Sequence, residues 1–280
     1  MDCPIETHQF LNSWKENSAE LCKQFSTSWI DDKEKGYFGF IPEKATALFI
    51  GTFPVPEQRT TGFFYHSDAN LFWTILEELS EQSLNTLEQK LNWLSNLKLG
   101  ITDILCMAQR IDKKCLSRSD ADLNAICFNN VANILSDFPS IEDIFLTSGG
   151  PSSKSLSGKS AGGWLGLHIR HATNRNIKKV TSDGATLKVQ LQPDGRLLNL
   201  HYLITPAPQD EQLGKYLREN ENVKATIEQI NLFEKLTGCK EKYKAIQWAT
   251  YLSKVPGLIS EHFRHKILNQ HVASLLMERQ

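Results

Sequence analysis

The 280-residue chain lacks any run approaching the ~18 consecutive apolar residues of a membrane span. Met1–Phe10 (MDCPIETHQF) carries an acid and a proline where a secretory leader would carry a basic start and an apolar stretch, so neither a secreted nor a membrane protein is expected. An excess of either charge is missing too. The 31 Lys and Arg against 32 Asp and Glu leave a formal net charge of −1, which gives no bulk pull toward nucleic acid but permits a local basic face. The cysteines Cys3, Cys22, Cys106, Cys115, Cys127 and Cys239 contain no C-x-x-C, so neither a zinc ribbon nor an iron–sulfur run is present. A chain this long needs no covalent staples, and free thiols in a reducing cytosol are expected. What remains is ordinary globular composition, 40% hydrophobic and 22% charged, which excludes wholesale disorder. At about 150 residues per domain, one large domain or two small ones fit.

No internal repeat or low-complexity tract interrupts the chain. The first forty residues read as polar and helical in places, ending in the aromatic, glycine-punctuated Gly36–Pro42. Ala45–Ile50 is a nearly continuous apolar run stopped by Gly51, as a buried strand would be. Phe72, Ile75, Leu76 and Leu79 share one helical face, and Thr86 with Gln89 makes a capping box for a second helix striped by Leu87, Leu91, Leu94 and Leu97. Gly100–Leu105 is a second strand and Ile141–Leu146 a third; between them Leu123, Ile126, Cys127, Val131, Ile134 and Phe138 recur at helical spacing up to Pro139. A helix is predicted around Trp164–Thr173, then a hairpin of Leu187–Gln192 and Leu197–Ile204 about Pro193-Asp194-Gly195. Helices follow, one with Val223, Ile227, Ile230 and Phe233 on a face and Gly238 as C-cap, then two more stretches broken at Pro256-Gly257.

This alternation predicts an α/β sandwich with a mainly parallel central sheet, and such sheets bind ligands beyond the carboxyl ends of their strands. Those ends are Gly51–Pro54, Thr102-Asp103, Thr147–Gly150 and Thr205–Pro208, all small, polar or turn-forming.

Several motifs have ordinary explanations. Gly158-Lys159-Ser160 lacks the glycine five positions upstream that a phosphate loop needs, because Ser153 stands there. His168-x-x-His171 and His262-x-x-His265 have no carboxylate or cysteine to complete a metal set, and no metal is expected. Asp31-Asp32 and Glu77-Glu78 are sequence neighbours, which do not face each other on a helix. Asp103 differs by its place at a strand end, where it could bond loop amides or take part in catalysis. The densest segment is Gly51–Trp73 (GTFPVPEQRTTGFFYHSDANLFW). Aromatics beside Gly and Pro suit a slot in which a planar ring stacks, worth ~1–3 kcal/mol per base, or simply a packed loop.

That segment resembles the first motif of the uracil-DNA glycosylase superfamily, closest to its hypoxanthine-DNA glycosylase-like and mismatch-specific branches. The matching elements are Gly51-Thr52-Phe53-Pro54, Phe64-Tyr65 and Asn70-Leu71-Phe72-Trp73. Similarity extends through Gly100–Arg110, Phe145–Gly149 and Leu203–Pro208, the last resembling the superfamily's second motif. The resemblance implies a three-layer α/β/α sandwich around a short, mainly parallel four-stranded sheet. Residues 1–44 would be a helical extension packed on the domain, 45–255 the glycosylase-like domain and 256–280 a helical tail. It implies hydrolysis of the N-glycosidic bond of a deaminated base flipped from DNA, with no cofactor.

By the same resemblance, Gly51, Thr52, Phe53, Phe64, Tyr65, Thr147 and Ser148 would contact the base, Tyr65 by stacking. Asn70 would be catalytic, with Asp68 and Asp103 as electrostatic partners. Arg59, Lys154, Lys159 and Lys215 would contact DNA, as would the loop Thr205, Pro206, Ala207 and Pro208. Two departures stand out: Phe53 replaces the Asp or Asn that many members use on water, and the second motif lacks its His, the nearest being His201 within a strand. Expected partners are single-stranded or mispaired DNA with a damaged base, and a monomer in the cytoplasm (nucleoid-associated if bacterial) is expected. The rivals are a base-binding member without catalysis and a hydrolase of free nucleosides or nucleotides.

Overall fold

The structure is a computed structural model that describes residues 3–8, 19–25, 27–55, 63–65, 70–111, 114–148, 159–172, 177–183, 186–191, 195–207 and 239–265, some of them by backbone alone. Outside these fall Arg59, Asp68, Lys154, Pro208 and Lys215, most of the Gly149–Ser160 loop, the hairpin tip Pro193-Asp194, the expected helix about Val223–Gly238 and the end of the tail. The chain forms two compact units, Met1–Ser67 with Leu91–Leu203, and Asp68–Lys90 with Ile204–Gln280. Among the described residues no helix is long and apolar enough to cross a membrane.

The first unit is built on a mixed sheet of eight strands. Its middle comprises β4 (Ala47–Gly51), β5 (Leu99–Asp103), β8 (Asp143–Leu146) and β11 (Leu197–Tyr202), in the order β5-β4-β8-β11 and parallel throughout. β4 and β5 are buried at every residue, which is why β4 reads as a nearly continuous apolar run. The sheet does not stop at four strands, as expected from the sequence. β2 (Trp29–Asp32) and β3 (Tyr37–Phe40) extend it past β5, and β9 (Ile177–Asp183) and β10 (Thr186–Leu191) extend it past β11, all antiparallel. β10 and β11 form the predicted hairpin.

The N-terminal residues therefore differ from a helical extension. Besides the short α1 (Ala19–Gln24) they supply β2, β3 and β1 (Ile5–Thr7). β1 lies beside β6 (Leu105–Arg110), which pairs in turn with β7 (Leu123–Phe128) in a separate three-stranded sheet. The predicted helix over Leu123–Phe138 is accordingly half strand, with only Val131–Asp137 (α4) helical. The fully buried Asn129 decides the break. Its Oδ1 accepts the Phe38 N–H at 2.9 Å, and its Nδ2 donates to the carbonyls of Phe38 and Asp103 and to Thr102 Oγ1 at 2.7–3.0 Å. Those bonds tie the chain to β3 and β5, and Asn130 then caps α4 through the Asn133 N–H.

The cysteine expectation is also corrected. Cys3 is bonded to Cys115, and Cys106 to Cys127 across the β6–β7 ladder. Strand pairing brings together thiols 112 and 21 residues apart, a proximity no local pattern could announce.

The second unit packs α2 (Phe72–Ser80) through Phe72, whose ring meets Trp248 edge-on at 5.5 Å, against α6 (Cys239–Leu252). The capping box exists: Thr86 N–H donates to Gln89 Oε1 at 2.9 Å and Gln89 N–H to Thr86 Oγ1 at 3.2 Å, opening α3 (Leu87–Asn96). α5 (Ala161–Ala172), in the first unit, is the helix predicted around Trp164, and Ser260 caps the short α7 (Glu261–Phe263) after the Gly257 break.

Candidate active site

Gly51 and Asp103 are register partners at the carboxyl ends of β4 and β5, and Thr147 follows the end of β8. The chain after Gly51 stays extended against β5 and β6 because Ile104 N–H donates to Gly51 O at 3.0 Å and Leu105 N–H to Thr52 O at 3.1 Å. Gly51 has to be glycine. A Cβ there would lie 2.0 Å from Asp103 Oδ1 and 2.2 Å from the Tyr65 hydroxyl. Both groups thus converge on one point above the strand end.

Tyr65 adopts φ +56°, a left-handed conformation that costs a non-glycine residue about 1–3 kcal/mol and persists where surroundings enforce it. Its hydroxyl bonds Thr147 Oγ1 at 2.7 Å. Burial, reinforced by the charge of Asp103, pushes the phenol well above its ordinary range against the opposing bond to Thr147, so it stays protonated.

Asp103 is 6% exposed, and its Oδ2 lies 2.8 Å from Nε2 of His8, itself 3% exposed. The His8 ring packs against Phe38 (4.6 Å between centroids), Phe64 (5.6 Å) and the edge of Phe53 (5.8 Å). A second carboxylate completes the cluster. Thr52 Oγ1 donates to Asp120 Oδ2 at 2.7 Å and lies 2.8 Å from Ser148 Oγ. Ser148 Oγ in turn accepts the Ala161 N–H that opens α5, at 2.7 Å. Burial pushes the Asp120 carboxyl up to about 6; the hydroxyls of Thr52 and Ser148 oppose this, Asp103 adds to it and Arg110 counters it. The buried Arg110 donates to Pro54 O at 3.1 Å, and its Nε lies 3.3 Å from Glu6 Oε1.

Of the residues expected at the site, Gly51, Thr52, Tyr65, Asp103, Thr147 and Ser148 are brought together here. Phe53 and Phe64 both line the cluster through His8, and the buried Phe64 also lies parallel to Phe38 at 6.4 Å. Asn70 belongs to the second unit, where its Oδ1 accepts the Phe72 N–H at 2.9 Å and opens α2. There the two motif segments meet directly, since Leu71 N–H donates to Pro206 O at 2.9 Å. Thr205 Oγ1 accepts the Ala207 N–H at 3.3 Å, and Lys244 Nζ donates to Ala207 O. Lys159 donates to Asn124 Oδ1 at 3.2 Å. His201 is fully buried, with Nε2 on Asp143 at 2.7 Å and Nδ1 on Thr186 at 2.9 Å, a satisfied core histidine.

His8 and Asp120 were missed by the sequence reading. Neither sits in a local pattern that carries chemistry, and only strand pairing and a short 3₁₀ turn over Asp120–Asp122 deliver them. Among the described residues no group of three or more His, Cys, Asp or Glu could hold a metal ion. Chemically, the cluster presents two carboxylates in distinct settings: one anchored to an imidazole, the other bound by hydroxyls and poised to exchange a proton near neutrality.

No family model matches the chain, and no curated protein is significantly similar to it in sequence. Among solved structures, it is similar to the solution NMR structure of a Methanosarcina acetivorans protein assigned provisionally as a uracil DNA glycosylase. The identity is 14% and the TM-score 0.38, with 62% of this chain and 85% of the other covered.

Proposed function

We propose that the protein is a monofunctional DNA glycosylase acting on a deaminated base of the hypoxanthine or uracil type. The observation that carries the reading is the pairing of Asp103, at the carboxyl end of β5 and turned with the Tyr65 hydroxyl toward Gly51, with Asp120, bonded to Thr52 just past the end of β4 and within electrostatic reach of Asp103. N-glycosidic hydrolysis suits such a cluster. The bond breaks with its electron pair leaving on the base, and the sugar passes through a cation that nearby carboxylates stabilise. Water then adds to the anomeric carbon, and its proton goes to a base of suitable pKa. Asp120, at about 6, is such a base at neutral pH.

In this scheme the Tyr65 ring stacks on the flipped base, and Thr147 and Ser148 meet its edge. Asn70 orients the base or water, with Asp68 as a further electrostatic group. Arg59, Lys154, Lys159 and the loop Thr205–Pro208 hold the DNA backbone. A three-layer sandwich and a monomeric state belong to the same proposal. One observation favours the rival base-binding member: Phe53, edge-on to His8, offers no group to activate water.

Incubation with oligonucleotides carrying uracil, hypoxanthine or xanthine, single-stranded and mispaired, followed by alkaline cleavage, tests the proposal. Strand breaks that disappear in Asp120→Asn are expected. Retained binding with no breaks at high enzyme would transfer the assignment to the base-binding rival.

A further inference from the structure

We infer that His8, delivered from the N-terminal strand, is a positioning residue that fixes which oxygen of Asp103 faces the reacting sugar. The inference rests on the hydrolytic reading above and deepens it. Two backbones hold the two heads of the pair independently. Asp103 is the last residue of β5, locked in register with Gly51. His8 follows β1, whose Ile5, Glu6 and Thr7 pair with Gln109, Ala108 and Met107, and its own N–H donates to Cys106 O at 2.8 Å. The Cys3–Cys115 bond fastens the strand at its start.

The side chains then divide the carboxylate's work. Oδ2 is taken by His8 Nε2 at 2.8 Å, while Oδ1 is turned toward the Cα of Gly51 and the Tyr65 hydroxyl. A carboxylate at a strand end can rotate about its Cβ–Cγ bond, so an anchor on one oxygen decides where the other points. His8 is itself prevented from turning by Phe38, Phe53 and Phe64 around its ring. The surrounding aromatic shell also keeps water from competing for the bond, which strengthens it.

The test compares His8→Leu, His8→Asn and His8→Gln with the wild-type chain on the oligonucleotide it cleaves best, with thermal melting to verify folding. Gln places an amide nitrogen near the position of Nε2, whereas Asn is too short to reach Oδ2. For Leu and Asn, kcat should fall about 30- to 100-fold with KM within about threefold, the loss expected when an orienting partner is removed. Gln should recover at least tenfold of that loss. If His8→Leu fails to fold, the Asn and Gln pair decides alone. Wild-type kcat in Asn, or Gln no better than Asn, overturns the positioning role and leaves the hydrolytic reading standing. A wild-type chain inactive on every lesion removes that reading and this inference together.

Discussion

A helix face in the second unit and the strand-end cluster in the first handle buried polar groups in opposite ways. In the second, Lys244, Gln247 and Trp248 lie at i, i+3 and i+4 on one face of α6, and all three are fully buried. Each bonds backbone: Gln247 Oε1 accepts the Ile204 N–H at 3.0 Å, Trp248 Nε1 donates to Ile204 O at 2.9 Å, and Lys244 donates to Ala207 O. One helix face grips one loop. In the first unit, His8, Thr52, Tyr65, Asp103, Asp120, Thr147 and Ser148 come from separate segments and bond chiefly to each other. Side chains tied to backbone hold a shape. Side chains tied to one another, with carboxylates among them, can also change protonation, and that is why the candidate chemistry lies in the first unit.

A network assembled from distant segments should depend on whatever tethers them. The largest expected effect is therefore on the staple. Cys3→Ser opens a bridge spanning 112 residues and should cost about 4–5 kcal/mol of stability in denaturant titration. Cys115→Ser should match it, and the double variant should be no worse; an unmoved midpoint would remove the disulfide from the account.

Next comes Asp120→Asn, expected to lower kcat about 10³-fold. In the wild-type chain kcat should rise as pH passes about 6 and level above it, because the base form is required. Stability runs the other way. The folded chain keeps the Asp120 proton between about pH 4 and 6 where the unfolded chain has lost it, so this group's contribution falls as pH rises through that window. Denaturation of the Asn variant at pH 4, 5 and 6 should lack that slope, and an unchanged slope would contradict the burial argument.

Gly51→Ala should sort geometry from stability. The new Cβ meets only the ends of two side chains, so the strand survives while Asp103 and Tyr65 are pushed aside. About a 10²-fold loss of kcat is expected, with a stability loss of about 1–3 kcal/mol from the strained bonds of Asp103 and Tyr65 to His8 and Thr147. The second unit should respond in the reverse sense. Gln247→Leu leaves the buried Ile204 N–H without its partner and should cost about 1–3 kcal/mol while the pH profile of kcat keeps its shape. A displaced profile would mean that the two networks are coupled.

Much of the scaffold was legible because it is written locally. The apolar stretches of β4 and β8, the face of α2, the Thr86–Gln89 box and the hairpin of β10 and β11 each depend on neighbours within a few positions. Strand ends marked by Gly51, Asp103 and Thr147 pointed to the cluster for the same reason. Leu123–Phe128 was misread because six residues are too few for a period to decide: in the strand Leu123 is buried while Ile126 is half exposed, and only pairing with β6 selects it.

The sequence by itself determined the parallel α/β core and the strand end where polar groups gather, since burial on both faces and turn chemistry leave a mark in adjacent residues. Tertiary structure alone decided that β1 brings His8 to Asp103, that Asp120 joins Thr52 and Ser148, and that Cys3 meets Cys115. Those contacts join residues 28 to 112 positions apart, and their energies depend on a desolvated space that exists only once the strands have assembled.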